Sequence, residues 1–400
     1  IRAAAQAKGL SSAVVEQLTA TTQQYYKSVF PPTTEDTLAG GLSNTIGGRI
    51  CGYLGLHGGG YTVDGACSSS LLAVATAATA LVTGRLDTVL AGGVDVSLDT
   101  FELVGFSKAG ALAQGDLHVY DRRANGFKPG EGCGFIVLKR LDDARRDGDY
   151  VYAVLRGWGI ASDGGRAITA PSAEGQARAI RRAYDMAGYT PRDLAFVEGH
   201  GTGTSVGDAI ELEGISLAMN GEEEPRPRQC GVTSLKSVIG HTKAAAGIGG
   251  LIKGILAANR RVLPPTANCT EPHAIFDDLA RPLYPIMLGE VRAQSEVLRV
   301  GVSAAGFGGI NCHVTLESGD APAEHVAPET DERVLLVSNQ QTEVFLLSGD
   351  SVRALIERVE GVRQLAHGIS EGEMVDLAAK LAGELEPMAA VRAAVVAEKP

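Results

Sequence analysis

Tyr61-Thr62-Val63-Asp64-Gly65-Ala66-Cys67-Ser68-Ser69-Ser70-Leu71 reads as a short β-prone run, a turn of small residues, and the start of an Ala-rich helix ending near Gly84. A strand that passes through a tight turn into a buried helix is the unit from which α/β folds are built. The same alternation continues outward. Strands are expected over 88–90, 134–138, 152–155 and 196–198, and helices over 69–83, 175–187, 209–219 and 244–258. Residues 320–333 shift to Pro, Glu, Asp and Thr, the composition of a solvated linker. Beyond them a strand over 344–347, a helix capped by Asp350 or Ser351 and running to about 365, and a strand over 391–396 form a small α/β appendage. The expected organisation is a large domain over 1–319, a linker over 320–333 and a second domain beginning at 334.

The composition narrows the function classes. The 400 residues hold 36 basic and 47 acidic side chains, a net charge of −11, which disfavours nucleic acid as the main ligand. Aromatic residues at 5% leave little surface for stacking on bases. No uncharged apolar run approaches a membrane span, so no membrane partner is expected. The six cysteines (Cys51, Cys67, Cys133, Cys230, Cys269, Cys312) form no C-x-x-C pair, which suits reduced thiols in a cytoplasmic protein. The N-terminus, without Met or a cleavage pattern, reads as that of a fragment. Glycine, at 51 residues, is about twice its usual share and points to many tight turns and close backbone approaches.

Cys67 falls at or just before a helix N-terminus, where free N–H groups and the helix dipole favour a thiolate, a good acyl acceptor and leaving group. The competing reading is a buried, inert thiol. Val197-Glu198-Gly199-His200-Gly201-Thr202-Gly203-Thr204 sets a histidine where a strand enters a glycine-rich loop. Ser234-Leu235-Lys236-Ser237-Val238-Ile239-Gly240-His241-Thr242 repeats the pattern before a helix. Both imidazoles suit proton donation or acid–base work near neutrality, although either alone reads more readily as a satisfied structural residue. The glycines after His200 do not fit G-x-G-x-x-G, no Walker lysine follows, and neither H-E-x-x-H nor G-x-S-x-G occurs. Glycines around Phe307 in Val302-Ser303-Ala304-Ala305-Gly306-Phe307-Gly308-Gly309 leave main-chain N–H groups uncovered, as an oxyanion hole requires, and fit a tight packing turn equally well. Asp208 and Glu211 read, by themselves, as N-terminal helix charges.

In their order and spacing these segments resemble the β-ketoacyl synthase family, the condensing enzymes of polyketide and fatty acid synthases. The match takes in 63–71; Tyr120-Asp121 with Gly126-Phe127 and Gly130-Glu131-Gly132; 198–204 with Gly207-Asp208 and Glu211; 234–247 with Lys253; and 301–309 with Asn311 and His313. The residues beyond 334 resemble the start of the linker domain that joins a ketosynthase to an acyltransferase. The wording of 58–67, 130–134, 37–46 and 95–101 resembles iterative enediyne polyketide synthases. Gly65 and Gly199 stand where modular synthases carry Thr and Ala, and Ile310 and Cys312 replace Thr and Ala. Cys67 also lies nearer the N-terminus than in the family, which implies that part of the first α/β half is missing and that neighbouring strands lack ladder partners in isolation.

The resemblance implies a thiolase-like αβαβα sandwich, normally homodimeric. Cys67 would be the acyl-carrying nucleophile and the backbone N–H groups of Cys67 and Phe307 the oxyanion hole. His200 and His241 would stabilise the enolate left by decarboxylation of a malonyl unit. Lys236 would order the histidine pair through Glu211, with Asp208 in the same network. Thr202 and Thr204 would bind phosphopantetheine, and Phe307 would also act as a gate. No metal or resident cofactor is implied, because the phosphopantetheine arrives on an acyl carrier protein. An acyltransferase domain downstream in the same chain is a second implied partner. Carrier proteins are acidic, so a local basic patch is expected among Arg122/Arg123, Arg145/Arg146 and Arg181/Arg182. Two alternatives remain open: a catalytically silent partner resembling chain-length factors, and a thiolase or other coenzyme A-dependent condensing enzyme.

Overall fold

The structure is a computed structural model and describes residues 2–30, 32–165, 170–219, 226–278, 281–293, 295–320, 342–366, 371–386 and 388–398. The chain divides into two compact units, residues 1–323 and 324–400. The linker expected over 320–333 lies, from residue 321 on, outside the described residues.

The first unit opens with helices α1 (Arg2–Ala7), α2 (Ser12–Ser28), α3 (Glu35–Gly40) and α4 (Asn44–Leu54), in which Val15 is buried while Tyr25, Tyr26 and Tyr53 are exposed. Then follow α5 (Ser69–Val82), β1 (Thr88–Asp95), α6 (Thr100–Lys108), β2 (Gly132–Lys139), α7 (Leu141–Asp147), β3 (Ala153–Ser162), α8 (Ala173–Ala187) and β4 (Phe196–Glu198). The unit continues with α9 (Ser205–Met219), β5 (Cys230–Thr233), α10 (Lys236–Ile239), α11 (Ala246–Arg260), β6 (Val262–Leu263), β7 (Leu283–Pro285), β8 (Glu290–Val291), β9 (Arg299–Gly306) and β10 (Ile310–Ser318).

Six strands form the main sheet in the order β3-β10-β9-β4-β5-β7. The β3/β10 and β10/β9 pairs are antiparallel, and β9/β4, β4/β5 and β5/β7 are parallel. The burial of both faces explains the apolar runs of these strands. One face packs on α8 and α9 through Ile180, Tyr184, Leu212 and Val197, and the other on α5 and α11 through Leu71, Val74, Leu251, Val300 and Leu316. The antiparallel β1–β2 ribbon covers the far side of α5 and α11. The described elements therefore stack as helix, sheet, helix, sheet. Position in the stack explains sequence: α5 is apolar almost all round because it lies between two β layers, whereas outer α8 carries Arg178, Arg181 and Arg182 on its exposed side.

Three expectations need correction. No strand forms over residues 61–65. Local side chains there take over the backbone donors, since Gly65 N–H donates to Ser69 Oγ at 2.9 Å and Ala66 N–H to Asp64 Oδ1 at 2.9 Å. The strands at 88–90 and 152–155 run much further, to Asp95 and Ser162, through glycines that read as stops. Within β3 the glycines serve close packing: a Cβ on Gly157 or Gly159 would lie 2.1 or 2.0 Å from carbonyl oxygens of α8. Helix α9 begins at Ser205, not 209, which carries Asp208 and Glu211 inside its first two turns.

The second unit pairs β11 (Thr342–Gly349) antiparallel with β12 (Val391–Glu398) and has helices at Val352–Leu365 and Glu371–Gly383. Ser351 caps the first helix by accepting from Ala354 N–H, and Phe345, Leu347, Met374, Ala378 and Leu381 form the core.

Helix α5 supplies a test of the layering. Leu71→Ala, at a side chain with no exposure, should cost about 2–5 kcal/mol of unfolding free energy, whereas Leu18→Ala, at a side chain 45% exposed on α2, should cost well under 1 kcal/mol. Denaturant titration of the two variants measures the difference, and equal losses would contradict the buried central position of α5.

Candidate active site

Cys67 lies in a 3-10 turn, Ala66–Ser68, that leads directly into α5. Ala66 takes φ +51, a left-handed conformation that L-residues adopt at a cost of about 1–2 kcal/mol. The β9–β10 hairpin closes over this turn so tightly that a Cβ on Gly306 would lie 2.2 Å from the Gly65 carbonyl oxygen. The approach brings the Phe307 N–H to the Cys67 thiol, where it joins the N–H of Cys67 itself. Two main-chain N–H groups thus lie beside the sulfur, near where the oxygen of an acyl group carried on it would sit. The Phe307 ring is 66% exposed.

The thiol is not the ready thiolate that a helix dipole alone predicts. Burial pushes its pKa up, and the Phe307 N–H and the Lys236 charge offset that effect only in part. The resting side chain is therefore a thiol, flanked by groups that stabilise negative charge on or beside its sulfur.

The strand ends of β4 and β5 deliver the two histidines. Their rings stand edge to face with centroids 5.3 Å apart. Burial, then Lys236, then His241 holds His200 well below the ordinary imidazole value, and burial, Lys236 and Lys243 do the same for His241. His241 Nδ1 accepts a hydrogen bond from Lys243 N–H at 3.2 Å. A backbone N–H can only donate, so that nitrogen carries no proton and the neutral ring bears its hydrogen on Nε2. Phe127 packs edge-on against the same ring at 5.3 Å.

Glu211 and Asp208 have a larger part than helix-end charges. Glu211 accepts from the N–H groups of His200 and Gly201, the latter at 2.7 Å, and from the Tyr120 hydroxyl at 2.9 Å. Asp208 accepts from Thr202, Gly203 and Tyr120 N–H at 3.1, 3.0 and 2.8 Å. The two carboxylates hold the entire turn after β4. Burial pushes Asp208 up to about 7, and Glu211 upward also, against the pull of these donors. Thr202 and Thr204 stand side by side on this loop, with hydroxyls 3.0 Å apart. Gly199 leaves the space that Tyr120 fills, since a Cβ there would lie 1.8 Å from its hydroxyl oxygen. The departure from Ala at this position is thereby matched to the Tyr120–Glu211 bond.

Lys236 is buried at the start of α10. Its expected link to the histidines through Glu211 takes another form. Among the described residues no ion pair within 4.0 Å joins the two, and Glu211 reaches His200 through the main chain. Lys236 acts instead by its field, which bears on Cys67, His200 and His241 together. Burial lowers its own pKa, against the charges of Glu198, Glu211, Cys67 and Asp208.

Sequence reasoning gave no role to Glu198, Lys253 or Tyr120. Glu198 accepts from Leu235 N–H and pairs with Lys253 at 2.8 Å, and Lys253 donates to Thr233 Oγ1 at 2.9 Å, fixing the segment that carries Lys236 and His241. All three residues stand in the family motifs, which was the available signal. The arginine pairs are largely committed to neighbours: Arg122 to Asp277, Arg123 to Asp121, Arg146 to Asp143 and Asp147, Arg181 to Glu174, and Arg182 to the Ile160 carbonyl. No group of His, Cys, Asp or Glu side chains among the described residues could hold a metal ion, and no described helix is long and apolar enough to cross a membrane.

One thiol beneath two N–H donors, two neutral imidazoles in contact and one buried ammonium form a site suited to acyl transfer through a stabilised anion. Comparison with known proteins agrees. Residues 4–144 match the beta-ketoacyl synthase N-terminal domain and residues 152–270 its C-terminal domain. The chain belongs to the β-ketoacyl synthase family. This ketosynthase is 36% identical to polyketide synthase PksL of Bacillus subtilis over 85% of the chain, and 39% identical to polyketide synthase GfsA of Streptomyces halstedii over 80%. It spans 7% and 4% of those two proteins. The solved ketosynthase from module 6 of the bacillaene synthase of Bacillus subtilis superposes with a TM-score of 0.67 at 33% identity, covering 92% of this chain and 64% of that one. An oxazolomycin ketosynthase domain of Streptomyces albus gives 0.68 at 28% identity, covering 94% and 63%. The fold is thus the thiolase-like sandwich of ketosynthases, and the ketosynthase is an enzyme of the acyltransferase type.

Because burial outweighs the charges that favour the thiolate, alkylation of Cys67 by iodoacetamide should keep rising with pH beyond the ordinary thiol value of about 8.5. Removing the cation in Lys236→Met should displace the curve further upward. Peptide mass spectrometry across pH 6–10 reads both, and a plateau reached near pH 7 would contradict the assignment.

Proposed function

We propose that this ketosynthase extends a polyketide chain by decarboxylative condensation, with Cys67 as the acyl-carrying nucleophile. The observation that carries the reading is the pairing of two neutral imidazoles, held in contact by buried carboxylates, with a thiol set beneath two main-chain donors.

In the first half-reaction the Cys67 sulfur attacks the thioester of an acyl chain on a carrier protein. The N–H groups of Cys67 and Phe307 hold the tetrahedral oxyanion, the pantetheine sulfur leaves, and the Cys67 proton passes to that thiolate. In the second, a malonyl thioester loses carbon dioxide and the electron pair of the broken carbon–carbon bond becomes an enolate. Its oxygen accepts hydrogen bonds from Nε2–H of His200 and His241. The enolate carbon attacks the Cys67 thioester, the carbon–sulfur bond breaks, and the Cys67 thiolate takes a proton from solvent. Neutral imidazoles suit this work, because an imidazolium would protonate the enolate carbon before it could condense. Lys236 stabilises the anionic stages by its field.

Thr202 and Thr204 would hydrogen-bond the phosphopantetheine arm, and the exposed Phe307 ring would gate its approach. The partners in this reading are an acyl carrier protein, a downstream acyltransferase domain reached through a linker domain beginning at residue 334, and a second copy of the ketosynthase. Reduced, scattered cysteines suit a cytoplasmic synthase. The wording around Cys67 and Cys133, together with Gly199, supports an iterative enediyne-type synthase as the parent.

Cys67→Ala should abolish covalent labelling from a radiolabelled acyl carrier protein. His241→Ala should still load acyl chains yet condense them about 10²–10³-fold more slowly. Persistent labelling of the Cys67 variant would refute the nucleophile, and unimpaired condensation by the His241 variant would refute the enolate role.

A further inference from the structure

Beyond these groups the site adjoins a second buried charge cluster that the reaction does not use directly. Lys243 is 5% exposed, and its ammonium lies 3.1 Å from Asp95 Oδ1 at the end of β1 and 2.9 Å from Glu102 Oε2 in the first turn of α6. The second Asp95 oxygen accepts from Ala244 N–H at 3.2 Å. Ser97 Oγ bridges the two acids, donating within reach of Asp95 Oδ1 and, at 3.1 Å, of Glu102 Oε1. Neighbouring Gly93 lets β1 come this close, since a Cβ there would lie 3.1 Å from the Ala244 carbonyl oxygen.

A buried ammonium with two carboxylates stays protonated despite its burial, and the carboxylates indeed raise Lys243 above the ordinary lysine value. The cluster also holds a backbone that would otherwise relax. Lys243 has φ +46, in the left-handed region that an L-residue enters only when its surroundings dictate it. At this left-handed residue the side chain runs to the two acids while the main-chain N–H donates to His241 Nδ1 at 3.2 Å. The cluster and the ring are therefore two ends of one device. Asp95 grips the residue on either side of the Lys243–Ala244 peptide bond, and the preceding Thr242–Lys243 peptide presents its N–H to the imidazole.

We propose that Lys243 is a positioning residue for His241: anchored by Asp95 and Glu102, its main-chain N–H fixes the ring with its one hydrogen on Nε2 and keeps Nδ1 occupied as an acceptor. The inference rests on the reading of His241 as a donor to the enolate. The charged and titratable groups facing this ring are Lys236 from α10, His200 from the loop after β4, and Lys243 itself, with Asp95 and Glu102 behind it. Loss of the Lys243 cation and release of its N–H both make Nδ1 easier to protonate. An imidazolium then passes its proton to the enolate carbon, returning to the neutral ring and yielding an acetyl thioester in place of the condensed product.

The test separates loading from condensation in the ketosynthase with carrier-protein substrates. Lys243→Met should load acyl chains onto Cys67 at close to the parent rate, condense them about 10-fold to 100-fold more slowly, and release a share of acetyl-carrier protein that grows as pH falls and sets in at a higher pH than in the parent enzyme. Lys243→Arg, which keeps the cation, should restore coupling in part. Glu102→Gln, which keeps Lys243 and loosens one anchor, should show the same selective defect on a smaller scale, and it decides the matter if circular dichroism shows Lys243→Met to be unfolded. Equal losses in loading and condensation, or an acetyl share that does not change with pH, would overturn the proposal and leave Lys243 a structural residue only. Failure of the underlying reading is distinct: His241→Ala would then condense normally.

Discussion

Glu211 is the constraint on which the site depends. Its carboxylate is buried, and burial of a charge is tolerated only where enough donors replace water. Here the donors are the His200 and Gly201 N–H groups and the Tyr120 hydroxyl. Satisfying this one group fixes the turn after β4, the place of Tyr120 and the main chain of His200 in a single arrangement. Asp208, one turn earlier on α9, secures the next two N–H groups, of Thr202 and Gly203, and that of Tyr120 in the same way. Glu198 repeats the principle for the loop after β5. The site is thus built chiefly by buried carboxylates reading backbone amides, with side-chain to side-chain bonds in a lesser part.

The same principle separates the two kinds of positive charge near the histidines. Lys253 and Lys243 are directly matched by acids. Lys236 faces acids that are already engaged by main-chain donors, so more of its field reaches the thiol and the imidazoles. In the proposed condensation such an imbalance would help, because a preorganised charge acts without reorganising when an enolate or oxyanion forms. Three of the non-glycine residues with positive φ adjoin these groups: Ala66 before Cys67, Tyr120 beside Glu211 and Lys243 beside His241.

Much of this was legible in the sequence. The helix after Cys67, the strand Phe196–Glu198 with its glycine loop, the Gly-His turn and the glycine turn at Phe307 are local features, and local spacing placed them well. What escaped was set by partners distant in sequence. Glycines read as strand ends are points where another element lies close, and nothing within β3 announces that α8 will pack on Gly157 and Gly159. Asp208 and Glu211 look like helix-end charges because their true partners are backbone groups, which have no letter in the sequence. The upward shift of the Cys67 thiol has a related cause: the dipole is local, but burial is a property of the assembled fold.

The central claim is that His200 and His241 are neutral donors held in one electropositive site. Selective ¹⁵N labelling of histidine with an NMR pH titration tests it most directly. Both rings should remain neutral as pH falls well below the ordinary midpoint of about 6.5, with the His241 hydrogen on Nε2 throughout. Protonation of both rings at or above that midpoint would contradict the account.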